Sequence, residues 1–222
     1  MIYKNIAVLT SKTSWLVPYA EKLVNILSEK EYNSKLFLKH ENIDEKYEIV
    51  FILSYFRIIQ KEFLEKHKHN LVVHESNLPE GKGWSPLFWQ ILEGKNKIPV
   101  VLFEAVEKAD AGDIYLKKLI HLDGYELHSE IREKQALKTI EMCLYFVDNY
   151  NEITSYKQKG KPSFYKKRTP IDSELDINKS IKDQFNLLRI INNDDFSAFF
   201  NYKDHKYIIH IYKESNNNNE NS

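Results

Sequence analysis

With a single cysteine, Cys143, in 222 residues, the chain cannot form an intrachain disulfide and offers no thiolate cluster for a metal. Charge of one sign is not in excess either. Lys plus Arg and Asp plus Glu both number 32, so there is no bulk positive field of the kind that attracts nucleic acid. No apolar run approaches the roughly 20 residues needed to span a bilayer. The opening Met1-Ile2-Tyr3-Lys4-Asn5-Ile6-Ala7-Val8-Leu9 passes directly into a strand-like run without a signal-peptide core. The expectation is a cytoplasmic protein with neither membrane nor nucleic-acid partners. Nucleotide fingerprints are missing as well: neither Gly-x-Gly-x-x-Gly after the first strand nor Gly-Lys-Ser/Thr anywhere, which excludes the usual dinucleotide and triphosphate cradles.

What is present is an alternation of short buried runs and helical patterns. Ile6 to Thr10, Lys35 to Leu38, Ile49 to Leu53, Leu71 to His74 and Pro99 to Glu104 read as strands, and Ile114 to Ile120 as an outer strand. Helical spacing covers Trp15 to Glu31, Gln60 to His67 and Glu126 to Asn149. Such alternation predicts an α/β fold, a Rossmann-like, mostly parallel sheet with helices on both faces. At Asn149 the composition turns to Asn, Ser, Lys and Gly, so a catalytic domain is expected over 1–150 and a small module over 151–214. In that module the pattern predicts a helix from about Ile177 to Ile191. It also predicts a β-hairpin of Phe196 to Tyr202 and Tyr207 to Tyr212, joined by Lys203-Asp204-His205-Lys206. The hairpin is aromatic-rich and packs either on the core or on a second copy, with a homodimer as the expected assembly. Residues 215–222, Asn-rich and without an apolar side chain, read as a disordered tail.

The most informative stretch is His74-Glu75-Ser76-Asn77-Leu78-Pro79, with Gly83, Pro86 and Trp89 after it and Asp110-Ala111-Gly112-Asp113 further on. His74 closes a buried strand and Asp110 follows another across a turn that Gly112 permits. Ligands of open α/β sheets bind at the carboxyl ends of strands. A histidine titrating near neutrality beside a carboxylate suits proton transfer.

His74-x-Ser76-x-Leu78-Pro79 together with Asp110-Ala111-Gly112-Asp113-Ile114 resembles the folate-dependent formyltransferases, over about 49–122. The later Ser163-Phe164-Tyr165-Lys166-Lys167-Arg168-Thr169-Pro170 and Leu187-Leu188-Arg189 look like the C-terminal module of bacterial sugar N-formyltransferases. The family also contains methionyl-tRNA formyltransferase. The resemblance implies transfer of a formyl group from 10-formyltetrahydrofolate to an amine, here on a nucleotide-linked sugar such as a UDP-4-amino-4,6-dideoxyhexose of a pseudaminic-type pathway. It assigns His74 and Asp110 to catalysis, and Phe56, Arg57, Ile58, Ile59, Glu107, Lys108 and Ala109 to the folate pocket. Ser76, Trp84, Tyr165 and Arg168 are the candidates for the sugar nucleotide, and no metal is implied. One departure stands out. The family motif has Asn two residues before the histidine, where this chain has Val72, so the usual oxyanion donor cannot be carried over. Asn77 or Ser76 from the loop, or backbone N–H groups, are the expected substitutes, with Asn77 taken as the third catalytic residue.

Plainer readings compete at several positions. Trp89 spaces with Leu92 like a core residue, Asp113 reads as structural, Lys166-Lys167-Arg168 as a solvated charge run, and Arg57 as a capping or ion-pairing residue. His67 and His69 look like surface residues. Other functions in view are formylation of methionyl-tRNA, a folate-binding homologue that has lost chemistry, and hydrolysis of the formyl folate.

Overall fold

The structure is a computed structural model and describes residues 5–214; the tail expected at 215–222 lies outside the described residues. Six strands form the central sheet in the order β2-β1-β3-β4-β6-β7. They are β1 (Asn5–Leu9), β2 (Asn33–Phe37), β3 (Ile49–Ile52), β4 (His69–His74), β6 (Lys97–Glu104) and β7 (Ile114–His121). The first four run parallel. Contrary to the expectation that His74 and the Asp110 turn share one carboxyl edge, β6 runs antiparallel to β4, pairing His74 with Val101 and Leu71 with Glu104. The apolar run 98–103 of β6 reads the same in both directions, so its sense is set by the connection.

The sheet is buried on both sides because its central strands carry unbroken apolar runs at 6–9, 49–52 and 71–73, as strands covered on both faces do. Ile6, Val8, Ile49, Phe51 and Leu71 face one cluster with helices α1 (Val17–Glu29), α3 (Pro86–Leu92) and α4 (His128–Asp148). Ala7, Leu9, Val50 and Ile52 face the other, with Phe63 of the short helix α2 (Lys61–Leu64). Helix α1 docks through Ala20, Leu23 and Leu27, a stripe at the helical period, and Lys30 after its end pairs with Asp148 at 3.0 Å. In β4 the alternation puts Leu71 and Val73 toward α1 and α4 and Val72 toward the α2 side. By the same period His74 shares the face of Val72, and Glu75 the face of α4.

The remaining elements are β5 (Lys82–Gly83), β8 (Phe164–Tyr165), α5 (Phe185–Ile190), β9 (Ala198–Tyr202) and β10 (His205–Ile209). Two of these differ from expectation. The helix begins at Phe185 rather than near Ile177, because Gln184 and Ser180 saturate the backbone before it. The Gln184 side chain bonds the N–H of Asp176 at 2.7 Å and its carbonyl at 3.0 Å, and Ser180 accepts from the N–H of Asp183 at 3.1 Å, contacts that compete with helix formation. The hairpin strands are shorter than expected. Lys203 and Asp204, both with positive φ (46° and 62°), make the two-residue turn whose twist suits a hairpin. The module is fastened to the sheet domain through Arg189 of α5, fully buried. It donates to Glu126 Oε2 at 2.7 Å, to the Glu126 carbonyl at 3.1 Å and to Asn96 at 3.0 Å.

Candidate active site

His74 is buried at the end of β4, and its Nε2 lies 2.8 Å from the carbonyl oxygen of Gly81. A carbonyl only accepts, so Nε2 carries the proton of the neutral ring and Nδ1 is the nitrogen left to accept. Two residues on, the N–H of Gly83 donates to Oδ2 of Asp110 at 2.9 Å. The segment 81–83 therefore holds the histidine by one peptide group and the aspartate by another. Asp110 adopts φ 53°, a left-handed conformation that Asp tolerates better than most residues. Its turn is clamped from below by Gln158, whose Nε2 reaches the carbonyls of Asp110 and Gly112 at 3.1 and 2.9 Å.

The segment 81–83 is itself held by distant chain. Strand β5 pairs in parallel with β8, Gly83 opposite Tyr165. Gly81 N–H donates to Ser163 Oγ at 2.9 Å, and Lys82 N–H to the Ser163 carbonyl at 2.9 Å. Gly83 has φ +97°, and a Cβ there would stand 2.5 Å from the Tyr165 carbonyl oxygen, so only glycine permits this approach.

The candidates for the missing oxyanion donor separate. Asn77 is engaged, its Oδ1 by Lys117 and its Nδ2 at 3.5 Å from Glu80. Asn70, on the same face of β4, is committed to the Leu64 carbonyl at 2.9 Å. Ser76 is 2% exposed, and its hydroxyl has no hydrogen-bond partner among the described residues. It lies against the same turn, since a Cβ on Gly81 would meet the Ser76 Cβ at 2.9 Å.

The residues assigned to the folate pocket lie over the α2 side of the sheet. Tyr55 and Ile59 of one loop, Ala105 of the other and Val72 between them all pack against the same apolar cluster. Phe56 and Ile58 are exposed, Ile58 at 83%, and Glu107, Lys108 and Ala109 form an exposed loop ahead of Asp110. An apolar floor between two loops fits a flat heterocycle with polar edges. Arg57 pairs with Glu41 at 2.5 Å, the ion-pair role of its plainer reading.

The candidates for the acceptor are less uniform. Trp84 is half exposed, with Lys167 Nζ 5.0 Å from its ring centroid. Tyr165 donates to Glu93 at 2.8 Å and stacks on Trp89, centroids 6.3 Å apart and planes 8° apart. Trp89 is thus not a core residue; its Nε1 donates to the Lys166 carbonyl at 2.8 Å, bracing β8. Arg168 is not part of a solvated run: it is 8% exposed, and among the described residues it donates to the Asp172 carbonyl at 3.3 Å and Ser173 Oγ at 3.2 Å. The two histidines expected at the surface are also interior. His67 is buried with Nδ1 2.7 Å from the Tyr47 carbonyl, and burial lowers its pKa. His69 lies 3.1 Å from Glu104 and 2.8 Å from the Tyr150 hydroxyl. The sequence reading missed Gln158, Ser163 and the braces on β8, none of which leaves a local signal.

A family model described as formyl transferase matches residues 4–144. Among curated proteins, the methionyl-tRNA formyltransferase of Ehrlichia canis (strain Jake) is 28% identical over 166 residues, covering 71% of this chain and 54% of that protein. The chain spans about half the length of the curated methionyl-tRNA formyltransferases it matches. Among solved structures, a methionyl-tRNA formyltransferase from Clostridium thermocellum superposes with a TM-score of 0.79 at 20% identity, covering 96% of this chain and 95% of that one. A sugar N-formyltransferase from Shewanella sp. FDAARGOS_354 does so with a TM-score of 0.70 at 16% identity, covering 95% and 98%. These likenesses between structures establish a shared fold.

Proposed function

We propose that this chain, which belongs to the formyl transferase family, moves the formyl group of 10-formyltetrahydrofolate to the amino group of a nucleotide-linked amino sugar. A UDP-4-amino-4,6-dideoxyhexose is the acceptor favoured by the likeness of Ser163 to Pro170 to the sugar enzymes, and surface glycan synthesis in the cytoplasm is the setting. The observation that carries formyl transfer is the 81–83 turn, which holds His74 by its Gly81 carbonyl and Asp110 by its Gly83 N–H.

The folate supplies an electrophilic formyl carbon; this chain's residues do the rest. His74 offers Nδ1 as the base that takes the proton the attacking amine gives up, and Asp110, held by the same 81–83 turn, is the carboxylate beside that exchange. The imidazolium so formed returns a proton to the departing nitrogen, so no net charge accumulates. Ser76, whose hydroxyl is buried and unpartnered, is the donor for an oxygen gaining negative charge, in the place left by Val72. Asn77, tied to Lys117 and Glu80, is the weaker candidate.

A second reading, formylation of methionyl-tRNA, is favoured by the names of the curated relatives. The balance of 32 positive and 32 negative side chains stands against it, because a polyanion the size of tRNA is held by a basic surface. Mass spectrometry of the protein with 10-formyltetrahydrofolate, a panel of UDP- and dTDP-linked 4-amino-4,6-dideoxy sugars and, in parallel, methionyl-tRNA tests both. Formylation of one sugar, reduced about 10²–10⁴-fold in His74→Ala and also lost in Asp110→Ala, is expected. Formylmethionyl-tRNA alone would transfer the assignment to the second reading, and formate release without an acceptor would make the protein a hydrolase.

A further inference from the structure

Strand β6 leaves β4 with a ladder bond unmade. Leu71 pairs with Glu104, so Asn70 and Ala105 are the next antiparallel partners. Ala105 N–H donates to the Asn70 carbonyl at 2.6 Å, which marks the two as a hydrogen-bonded pair that would ordinarily exchange a second bond. The Asn70 N–H goes to a side chain instead, reaching Glu104 Oε1 at 2.6 Å. The Glu104 carboxylate thus takes the place of the Ala105 carbonyl and ends the ladder where the 105–113 loop begins.

The same residue holds the other side of the loop's neck. Glu104 N–H donates to the Asp113 carbonyl at 2.9 Å, and the Glu104 carbonyl lies so close to Gly112 that a Cβ there would stand 1.6 Å away. The β6–β7 register shifts between Leu102, opposite Leu116, and Phe103, opposite Ile114, which leaves Tyr115 as the extra residue of a β-bulge. Bulges re-aim side chains beside active sites. This one brings the Tyr115 hydroxyl to Glu104 Oε2 at 3.1 Å. His69 Nδ1 reaches the same oxygen at 3.1 Å, and its Nε2 the Tyr150 hydroxyl at 2.8 Å. A carboxylate only accepts, and burial, then the Glu104 charge, pushes the Tyr115 phenol above its ordinary pKa, so the tyrosine stays the donor. Phe146, fully buried, packs edge-on against the rings of His69, Tyr115 and Tyr150, centroids 5.6, 5.1 and 5.7 Å away. Both oxygens of one carboxylate are therefore fixed, by Asn70 and His69 of β4 and by Tyr115 of β7.

We propose, within the formyl-transfer reading on which this rests, that Glu104 is a positioning residue for the reaction: it sets where the 105–113 loop departs from the sheet and so brings Asp110 to the turn that holds His74. The link from Gly83 N–H to Asp110 Oδ2, 2.9 Å long, is a single exposed hydrogen bond, which closes only when the loop already lies within reach. Without the carboxylate, the Asn70 N–H is free to take the Ala105 carbonyl. The ladder then lengthens by one bond and the loop starts from a different place. A displacement of about 1 Å in a reacting group costs on the order of 10²-fold in rate.

The test joins nuclear magnetic resonance of the full chain with kinetics on the acceptor that the sugar and tRNA panel identifies. An amide proton bonded to a carboxylate changes its chemical shift as that carboxylate ionises. The Gly83 amide proton of the unaltered protein is expected to titrate in this way and to stop doing so in Asp110→Asn. In Glu104→Ala the titration is expected to vanish and kcat to fall about 10²-fold, with the acceptor KM unchanged and slow amide exchange in β1 and β3 retained as proof of folding. Glu104→Gln keeps an oxygen for the Asn70 N–H while losing the acceptor for Tyr115 and His69, and is expected to recover part of both. A Gly83 titration intact in Glu104→Ala would overturn the assignment, as would one that survives Asp110→Asn, or a loss confined to KM with kcat kept. If Glu104→Ala does not fold, Glu104→Gln and Tyr115→Phe decide: a Gly83 titration and a kcat at the unaltered level in both would overturn it. A Gly83 titration that depends on Glu104, in a protein that formylates no acceptor, would leave Glu104 as the holder of Asp110 and remove the formyl-transfer reading instead.

Discussion

Replacing Glu126 with Gln tests the joint between the sheet domain and the C-terminal module. The Glu126 carboxylate is buried, which by itself would raise its pKa. The hydrogen bond from Lys134 and those from the backbone N–H groups of Asp123 and Gly124 outweigh burial and hold it at about 2, against 4.5 for an ordinary glutamate. Arg189 adds a 2.7 Å contact to the other oxygen. At about 1.4 kcal/mol per pH unit, that depression corresponds to about 3 kcal/mol of folding free energy at neutral pH. Loss of one partner from a buried pair costs a similar ~3–5 kcal/mol, because the remaining guanidinium is left uncompensated. A carboxyl whose folded pKa is depressed binds fewer protons folded than unfolded. Its contribution is therefore complete above pH 4.5 and drains away as pH falls toward 2, about 2 kcal/mol of it by pH 3. Lys134 and Arg189 stay charged throughout this window. Urea unfolding followed by tryptophan fluorescence at pH 7, 5, 4 and 3 should show Glu126→Gln less stable by about 3 kcal/mol at pH 7 and by only about 1 kcal/mol at pH 3. A gap that is the same at both ends of the range would refute the reasoning, since the glutamate would then contribute nothing through its charge.

Gly112→Ala would place a Cβ 1.6 Å from the Glu104 carbonyl oxygen and 2.7 Å from its carbon. Backbone must move, so a loss of at least about 3 kcal/mol and of folate binding is expected, read by thermal unfolding and folinic acid titration. Ser76→Ala removes a buried hydroxyl that bonds to nothing, so stability should be unchanged while kcat falls about 10²-fold; a stability loss with kcat intact would assign the serine to packing. Cys143 is fully buried and burial pushes its thiol pKa up. A thiol reagent at pH 8 should therefore label it only at the rate of unfolding, and labelling of the folded protein within minutes would contradict the packing of α4.

The parts of this fold that local pattern can express were legible. Apolar runs at 6–9 and 49–52, the helical stripe of α1 and the edge position of β7 all follow from burial at a fixed period. His74 ends β4 where the breakers after it stop the strand, whereas the strand before Asp110 runs in the opposite sense. What local pattern cannot express are partners far away in sequence. The run Lys166-Lys167-Arg168 looks uniform, yet each residue meets a different environment: Lys166 an aspartate, Lys167 the face of Trp84, Arg168 an interior. Similarly, the segment 68–70 looks polar enough for a surface. His69 is drawn inward because Glu104 and Tyr150 arrive from elsewhere to satisfy it.

The pairing of β5 with β8 has a bearing on how the protein is made. A nascent chain emerges from the ribosome in order, and both His74 and Asp110 are out long before Ser163 and Tyr165. Until those later residues arrive, the 81–83 turn has no strand beside it, and its Gly81 N–H and Lys82 N–H have nothing to bond. The newborn domain thus carries His74 and Asp110 without the turn that aligns them, and residues 163–165 act as the key that sets it. A chain cut short near residue 150 would leave His74 and Asp110 without the strand that holds the turn between them.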